Sequence, residues 1–484
     1  MQERPAVAMR TKVITSHLLL LLLAGCASVP RDAGFADVQK SVSSRLDERI
    51  TWRRGGEEDR AVDAQVKALL QQPLSADAAV QVALLNNRHL QAEYEELGVA
   101  QADVVQAGLL RNPVFGWSRQ EGGGITKTTW GVEFDFIGVL LRGPQKNLDS
   151  LRFEHARLRV SQAVLNHAME TRKAWYETVA SAQDASFMEK AAELASAEGE
   201  LAERQRKAGN LSRRDTLRQQ AFAEETLAAL AHTRESAYAA RERLNRLMGV
   251  WGEDLAWKLP GRLPGIPATQ PQFDNIEAYG LRHRLDVQMA QKEAEALASG
   301  LGLARSSRFI NVFGLGVETE KTTGERRITG PALRLELPVF DQGQARISRQ
   351  EAQYRQSEAR LYGAAVDARS EMREAWQRAT TAYLTARHAR DRLVPLRRQV
   401  VEESTLHYNG MLIGVYELLA DAREQVAAVR NHIAATRDFW MALADLQLAV
   451  GGKLPQELRE GAAIQSGEVM KSDTPAHQHE GHAQ

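Results

Sequence analysis

The sequence predicts a mainly α-helical chain that is internally duplicated and carries two pairs of β-strands. Three observations lead to this fold class. The interval between Pro144 and Pro260 contains no proline and is rich in strong helix formers. Segments of the two halves match in the same order at a nearly constant offset. Each half also contains a short block in which apolar and polar residues alternate, which is typical of strands with two different faces.

The first 25 residues have the pattern of a secretory signal. Arg10 and Lys12 supply positive charge, Leu18–Leu23 form an apolar run, and small residues follow. Met9 is an alternative start, because the leader that begins there has a more usual length. The run ends at Cys26, the only cysteine in 484 residues.

The stretch LAGC that ends at Cys26 resembles a bacterial lipobox, which is cut before a cysteine that carries lipid. A plain leader with a chance cysteine is the alternative. The resemblance implies that Cys26 is the lipid-modified first residue of the mature chain, and several acyl chains together anchor a protein stably. Ala27, in place of aspartate, resembles the form that is sorted to the outer membrane of Gram-negative bacteria.

One alternating block lies between the helical parts of each half. In the first half, apolar residues alternate with Gly131, Glu133 and Asp135. In the second half they alternate with Arg334 and Glu336. The apolar positions are Phe115, Trp117, Trp130, Val132, Phe134, Phe136, Phe313, Leu315, Val317, Leu333, Leu335 and Leu337. Glu133, Asp135, Arg334 and Glu336 are therefore predicted on the polar face, as candidates for a barrel lumen or for simple solvation.

Two architectures are compatible with four such strands. In a soluble sandwich the apolar face would be the core, although four strands enclose little core. In a membrane barrel the apolar face meets lipid and the polar face lines a wet lumen. Because open strand edges are not tolerated in lipid, the barrel would need strands from several copies, and three copies supply twelve. The pattern favours the barrel without excluding the sandwich.

A long helical hairpin is predicted in each half. In the first, AGNLSRRDTL interrupts the helical pattern, since Gly209 suits a helix end and Ser212 suits an N-cap. Two long antiparallel helices joined at this tip are the simplest interpretation. Trp175 and Trp376 occupy equivalent helix positions in the two halves, and packing in the seam between helices is their expected role.

Four segments of the first half match segments of the second half in the same order. Two matches have an offset of 201 and the others have offsets of 197 and 198, so a few small insertions account for the drift. The proline-rich segment 259–272 joins the halves, and one match places Gly209 over Gly410. The matched pairs are RKAWYETVA (172–180) with REAWQRATT (373–381), KAGNLSRRDTL (207–217) with YNGMLIGVYEL (408–418), NNRHL (86–90) with HRLDV (283–287), and NPVFGW (112–117) with INVFGL (310–315).

Composition argues against several classes of protein. The 62 basic and 62 acidic residues give a net charge of zero, which does not favour nucleic acid as a partner. A single cysteine excludes an internal disulfide and a cysteine-rich metal site. Without a P-loop, GxSxG, HExxH or dinucleotide fingerprint, the sequence predicts neither an enzyme nor a bound cofactor. After the leader, no apolar run approaches the roughly 20 residues of a membrane-spanning helix.

The lipobox, duplication, strand pairs and helical hairpins together resemble the TolC-type outer membrane factor family, from about Leu74 to Pro455. Arg88 and Leu285 stand where the family usually has proline, and the first-half counterpart of PVFDQG is the altered GVLLRG (138–143). The specific motifs are Asn86-Asn87, which resembles the family's NNPxL, Arg284-Leu285-Asp286, which resembles RPDL, and PVFDQG (338–343), which resembles the turn after the last strand.

This resemblance implies a homotrimeric tube without a bound ligand. A twelve-stranded β-barrel would cross the outer membrane, and a helical barrel would form a tunnel across the periplasm. The tip of the tunnel would dock a periplasmic adaptor protein bound to an inner-membrane pump, of the resistance-nodulation-division type. The chain itself would be a passive, lipid-anchored exit duct, because the pump supplies the energy.

With this resemblance the chain divides into six segments. They are a lipoprotein signal peptide (1–25), an N-terminal tether and equatorial segment (26–73), a first repeat (74–258), the proline-rich linker (259–272), a second repeat (273–455) and a flexible histidine-containing tail (456–484).

The resemblance also implies roles for residues at the hairpin tips. Gly209 and Gly410 lie where the family contacts its adaptor, with a helix-end role as the alternative. Glu417 and Asp421 lie in VYELLADA (415–422), which resembles the region where acidic side chains narrow the pore. Three-fold symmetry would make each acid a ring of carboxylates that favours cations. A solvated helix face is the alternative for both.

The C-terminal HQHEGHAQ brings His477, His479 and His482 together. Imidazoles at short spacing can bind copper or zinc. The tail shifts the predicted cargo towards heavy-metal cations, with organic compounds, drugs or a secreted polypeptide as alternatives. A non-conducting, lipid-anchored periplasmic coiled-coil scaffold is the alternative from another class.

Overall fold

The computed structural model describes residues 29–270, 275–309 and 312–454. Cys26, the histidines His477, His479 and His482, and residues 271–272 of the linker lie outside the described residues. The lipid on Cys26 and metal binding by the tail therefore stay predictions.

Helices make up most of the described chain, as predicted. In chain order the helices are α1 (Phe35–Ser43), α2 (Glu57–Gln71), α3 (Ala76–Asn86), α4 (Arg88–Ala107), α5 (Phe136–Lys207), α6 (Arg213–Met248), α7 (Ile276–His283), α8 (Leu285–Ser306), α9 (Gln344–His388), α10 (Val394–Asn409) and α11 (Val415–Ala449). The strands are β1 (Val114–Gly122), β2 (Ile125–Asp135), β3 (Phe313–Thr322) and β4 (Ile328–Leu335). A 3₁₀ turn covers Gly252–Ala256 and a π turn covers Ala389–Leu393.

The chain forms two compact units, each built from several separate stretches. The first unit comprises the described residues of Met1–Ala36, Tyr94–Leu158 and Met289–Leu361. The second comprises those of Asp37–Glu93, Arg159–Gln288 and Tyr362–Gln484.

The first unit contains a four-stranded antiparallel sheet in the order β1-β2-β3-β4. Both predicted strand pairs are confirmed, and they join through β2 and β3. Val132 pairs with Phe115 on one side and with Val317 on the other, so the alternating positions of the two halves fall on common faces. β1 and β4 are the two edges of the sheet.

The last strand is shorter than predicted. β4 ends at Leu335, so Glu336 and Leu337 lie beyond the strand and the prediction that places them within it is wrong. The backbone N–H of Glu336 still donates to the carbonyl of Val312 at 3.2 Å. Pro338 follows at once, and because proline has no N–H it cannot continue the ladder.

The first-half counterpart of the PVFDQG turn is helical. GVLLRG (138–143) lies inside α5, which begins directly after β2 and contains Pro144 in its interior. Asp135 accepts a hydrogen bond from the N–H of Gly138 at 3.2 Å and so caps the new helix. In the second half, Asp341 accepts from the N–H of Gly343 at 2.8 Å in a turn that precedes α9.

Both predicted helical hairpins are present, and the second unit holds α6, α10, α11 and the parts of α5 and α9 that begin at Arg159 and Tyr362. α5 has 72 residues and α6 has 36. In the second hairpin, α9 continues through the π turn into α10, since the N–H of Val394 bonds to the carbonyl of Ala389. α11 returns with 35 residues.

The π turn explains a change in the repeat offset. Trp175 corresponds to Trp376 at an offset of 201, whereas the left-handed residues Gly209 and Met411 correspond at 202. A π turn holds one residue more than an α turn, so the insertion is absorbed inside the helix. Pro395, two residues after the end of the turn, lacks the N–H that a regular α-helix would use.

The main core of the second unit packs around aromatic side chains. Trp175 is buried, as predicted, and its indole N–H donates to the carbonyl of Leu74 at 2.8 Å. Tyr176 stacks on Trp440 with ring centroids 5.5 Å apart. Trp376 is partly buried against a second, smaller cluster, as expected for seam packing.

The predicted linker is packed against both hairpins. Ile266 is buried in the main core. The indole N–H of Trp440 donates to the carbonyl of Pro264 at 2.9 Å, and the hydroxyl of Tyr383 donates to that of Ala268 at 3.1 Å. The described part of the segment therefore packs against helices of both repeats, in addition to linking the repeats along the chain.

The described helices contain no stretch that is long and apolar enough to cross a membrane.

Candidate functional site: sheet faces and hairpin tips

One face of the sheet is apolar and exposed. The strand register places opposite one another the pairs Trp117 with Trp130 and Leu315 with Leu333. The exposed apolar side chains of this face are Phe115, Trp117, Trp130, Phe134, Leu315, Val317, Leu333 and Leu335. A contiguous exposed patch of this kind marks contact with lipid or with another protein. We call it the apolar face.

The opposite face is polar and carries the predicted lumen residues Glu133, Asp135 and Arg334. Arg334 pairs with Glu133 at 2.9 Å, and Lys127 pairs with Glu320 at 2.9 Å. Alternation along the strands places two basic and four acidic side chains on this polar face, which gives an excess of two negative charges. They are Lys127, Arg334, Glu133, Asp135, Glu318 and Glu320.

Glycines allow the strands to approach closely on the polar face. A Cβ atom at Gly316 would lie 2.5 Å from the carbonyl oxygen of Val132, and one at Gly131 would lie 2.7 Å from that of Val317. Real Cβ atoms do not come so near, so only glycine fits. Such crowding is expected on the inner side of a curved sheet, where glycine relieves it.

The first hairpin tip has the predicted end signals. Gly209 is left-handed with φ +79°, and the N–H of Asn210 donates to the carbonyl of Gln205 at 2.9 Å, as in a Schellman motif. Ser212 is the N-cap of α6, and its hydroxyl accepts from the N–H of Asp215 at 3.1 Å.

At the second tip, the residue with the left-handed backbone conformation is not the glycine that aligns with Gly209. Gly410 lies at the tip as predicted, but its φ is −79°, and the left-handed residue is Met411 with φ +60°. The N–H of Leu412 donates to the carbonyl of His407 at 2.8 Å, which closes the same motif one residue later. Met411 and Leu412 are 93% and 74% exposed, so this tip presents apolar side chains to solvent.

The two gate candidates lie on α11 just beyond this tip. Glu417 is exposed in the first turn of the helix. Asp421 is half-buried and accepts a hydrogen bond from the hydroxyl of Ser404 on α10. The structure thus ties Asp421 to the facing helix and leaves Glu417 on the surface.

Near their tips, the two hairpins are connected by contacts between aromatic and basic side chains. These contacts were not predicted from the sequence. The guanidinium carbon of Arg218 on α6 lies 4.3 Å from the ring centroid of Tyr416 on α11. Arg423 on α11 lies 4.4 Å from the ring of Phe222 and 3.5 Å from Glu225. The Tyr416 hydroxyl is buried and has no hydrogen-bond partner. Only the position of Tyr416 directly after the second tip could have drawn attention to it.

The asparagine motif has a structural role in the second unit. The Asn87 amide donates to the carbonyls of Arg246 and Leu247 at 3.2 and 2.9 Å, and its oxygen accepts from the N–H of Leu90 at 3.1 Å. One side chain therefore satisfies the last carbonyls of α6 and caps α4. Asn86 donates to the carbonyl of Gly249 at 2.7 Å.

Arg284 takes the corresponding place in the second repeat. It donates to the carbonyl of Ala449 at 3.2 Å and pairs with Asp286 and Glu371, each at 2.6 Å. The glycines Gly249 and Gly451 are left-handed and lie against the backbones of Asn86 and His283 respectively. The predicted match between NNRHL and HRLDV is therefore confirmed in three dimensions.

Two half-buried histidines have perturbed titration. Burial lowers the pKa of His167, although its Nε2 lies 3.0 Å from the carbonyl of Leu247. Burial and the neighbouring Arg390 also lower the pKa of His432, which lies on α11. Among the described residues, no group of three or more histidine, cysteine, aspartate or glutamate side chains is placed to hold a metal ion.

Neither a protein-family model nor a curated protein matches the sequence. Solved structures match over most of the chain. The outer-membrane channel OprN superimposes with a TM-score of 0.68 at 19% identity, covering 88% of this chain and 97% of its own. The outer membrane protein VceC of Vibrio cholerae gives 0.65 at 18% identity, covering 81% and 97%. The CmeC outer membrane channel of Campylobacter jejuni gives 0.64 at 12% identity, covering 90% and 95%.

The chain therefore has the fold of the TolC-type outer membrane channels. The resemblance noted from the sequence motifs is confirmed at the level of the fold. OprN and CmeC are channels rather than enzymes.

Proposed function

We propose that three copies of this chain form a passive exit duct through the outer membrane of a Gram-negative bacterium. The observation that carries the proposal is the sheet with an exposed apolar face and an opposite polar face. In a barrel the apolar face would contact lipid and the polar face would line the lumen. The neighbours with the same fold support an outer membrane location.

The sheet is suited to closure by symmetry. Its order places β1 and β4 at the edges, and the four strands are antiparallel, so β4 of one copy would meet β1 of the next in antiparallel orientation. Three copies give a twelve-stranded barrel without a free edge. The helical hairpins of the three copies would form the periplasmic tunnel.

The hairpin tips are proposed to dock a periplasmic adaptor, itself bound to an inner-membrane pump of the resistance-nodulation-division type. Support comes from Met411 and Leu412, whose exposed apolar side chains need a partner. Gly209 and Gly410 lie at the two tips, so the proposed contact would include them.

Heavy-metal cations are the proposed cargo. The polar face has an excess of two negative charges in each copy, which would favour cations over anions in the lumen. The predicted histidine tail, outside the described residues, would add a weak capture site. Organic compounds or a secreted polypeptide are the competing cargo. A strain in which the gene is deleted distinguishes metal ions from drugs by its sensitivity to copper, zinc and drugs.

A lipid on Cys26 is proposed to anchor each copy. Labelling of growing cells with a palmitate analogue tests this, because Cys26→Ser should abolish incorporation. Incorporation that persists in the variant would contradict lipidation at Cys26.

Recordings in planar bilayers test the duct itself. The purified full chain should be trimeric by native mass spectrometry and should conduct ions. Arg334→Ala should increase the preference for cations, measured as the reversal potential in a salt gradient, because it frees Glu133 in the lumen. Arg349→Ala, on the exposed surface of α9, is the matched control. A trimer that never conducts would favour the scaffold instead.

A further inference from the structure

An exposed apolar segment follows the last strand. In Leu337–Phe340, here called the collar segment, Leu337, Val339 and Phe340 are 72%, 68% and 93% exposed. It overlaps the PVFDQG motif, to which the proposed duct assigns no role. Large side chains exposed to this degree mark a surface that is covered in the working protein.

The collar segment is held in a defined turn. The N–H of Val339 donates to the carbonyl of Leu337 at 2.8 Å. Beyond Phe340, the Asp341 carboxylate accepts from Gly343, whose left-handed φ of +76° directs the chain into α9. These hydrogen bonds fix the backbone on both sides of Phe340, so the turn itself holds the Phe340 side chain in its exposed position.

The collar segment continues the apolar face. Because Glu336 still bonds to Val312, the strand alternation extends past β4 and places Leu337 on the same face as Leu333 and Leu335. Other exposed apolar side chains lie at the same ends of the strands and of their flanking helices. They are Phe136, Val139, Leu140, Phe309 and Val312.

The apolar face is too short to span a membrane without this extension. It runs from the level of Phe313 to the level of Trp130, which pairs with Thr319, a length of about 20 Å along the strand. At the usual tilt of about 40° this is a height of about 15 Å, whereas outer membrane barrels carry an apolar band of about 25 Å.

The band can be completed in only one direction. Above the tryptophan level the same face carries the charged side chains Arg119 and Lys321. Towards the helices it continues through Leu337 to Phe340. Each further pair of strand residues adds about 5 Å of height, so two more levels close the deficit.

We propose that the collar segment lies in the lipid at the periplasmic side of the outer membrane and completes the apolar band there. The inference rests on the proposed barrel. It assigns the exposed part of the PVFDQG motif to membrane contact and leaves the helices beyond Asp341 in water.

Spin labelling of the full chain tests the position of the collar segment. Phe340→Cys is labelled with a nitroxide after reconstitution into vesicles of phosphatidylethanolamine and phosphatidylglycerol, with the unsubstituted chain as background for Cys26. Met411→Cys is the matched aqueous control, since Met411 is also 93% exposed, and Leu333→Cys is the reference on the apolar face. Val339→Cys replaces Phe340→Cys if the latter does not assemble.

The labels at Phe340 and Leu333 should collide with oxygen severalfold more, relative to a water-soluble nickel chelate, than the label at Met411. The depth at Phe340 should be about 5–10 Å below the lipid phosphates. If the label at Phe340 were exposed to water while the label at Leu333 was exposed to lipid, the proposal for the collar segment would be wrong and the proposed duct would still stand. Water exposure at both positions would overturn the duct and the collar together. A label shielded from both reagents and broadened by neighbouring spins would assign the collar segment to a second copy and also overturn the proposal.

Discussion

Met411 adopts, at the second hairpin tip, the left-handed backbone conformation that Gly209 adopts at the first. A left-handed conformation costs a residue with a side chain roughly 1 kcal/mol, whereas glycine adopts it freely. The second tip therefore carries a local strain that the first tip lacks. The same residue places an exposed apolar side chain at the tip.

Replacing Met411 by glycine should relax this strain. Met411→Gly is expected to slow amide exchange around the second tip by about fivefold, since about 1 kcal/mol of local stability is gained. Hydrogen exchange followed by mass spectrometry measures this on the full chain.

Gly209→Ala is the mirrored control and should speed exchange at the first tip. A Cβ there would meet nothing within 4 Å, so any effect comes from the backbone conformation alone. Equal exchange in Met411→Gly and the parent chain would show that the left-handed turn is not strained.

The close approach of strands at Gly316 predicts a large effect of a single methyl group. In Gly316→Ala the new Cβ would meet the carbonyl of Val132, so the pairing of β2 with β3 must shift, at a cost of about 1–3 kcal/mol. Gly330→Ala is the matched control on the same polar face, because a Cβ there meets nothing within 4 Å. The midpoint of heat dissociation on denaturing gels should fall for Gly316→Ala only. Equal midpoints for the two variants would contradict the crowding argument.

Much of this architecture was predictable from local signals. Alternation identified all four strands and their two faces, because a period of two is set by the strand backbone itself. Gly209 and Ser212 identified the first tip, because their conformation and capping chemistry are local. The same logic selected Gly410 instead of Met411 at the second tip. The alignment kept an offset of 201 beyond the π turn, although the turn inserts one residue. The only sequence signal of this insertion is Pro395, two residues after the turn.

Contacts between distant segments were not predictable. Tyr416 meets Arg218 across nearly 200 residues of sequence, and Ile266 enters a core formed by helices of both repeats. Neither relationship leaves a pattern in the neighbouring residues, because side-chain partners are set by how the hairpins pack. The proline-rich composition around Ile266 pointed to a linker, whereas its burial makes it part of the core.

The bridging role of Asn87 predicts a strong requirement for an amide. Asn87→Ala removes two donated bonds and one accepted bond at a buried site, and should lower stability by about 2–4 kcal/mol. Asn87→Asp keeps the cap for Leu90 but places a negative charge beside the carbonyls of α6, so it should destabilise as well. Urea denaturation of the full chain measures both, with exposed Asn210→Ala as the control. If Asn87→Asp lowered the stability only slightly, the role of Asn87 would be limited to capping α4.

The histidine environments predict a loss of stability in acid. His167 and His432 have pKa values below the usual value, so the unfolded chain binds more protons than the folded chain as the pH falls through about 6.5. Their contribution is complete above that pH and declines below it. His167→Gln retains a donor for the Leu247 carbonyl and should flatten the pH dependence of the unfolding midpoint. The exposed His407→Gln is the control, and equal slopes in the two variants would contradict the assignment.

The bond from Ser404 to Asp421 gives the proposed gate a test. It joins α10 to α11 near the second tip, so a carboxylate there can hold the helices together and, in a trimer, add negative charge at the tunnel end. Asp421→Ala is expected to raise the leak conductance of the closed protein in planar bilayers, and Ser404→Ala should do so by a smaller amount because the carboxylate remains. Glu417→Ala tests the second acidic position, and Glu403→Ala, exposed on α10, is the charge-matched control. Unchanged closed-state conductance in both Asp421→Ala and Glu417→Ala would remove the carboxylates from the gate. In that case the bond to Ser404 would serve only the packing of the hairpin.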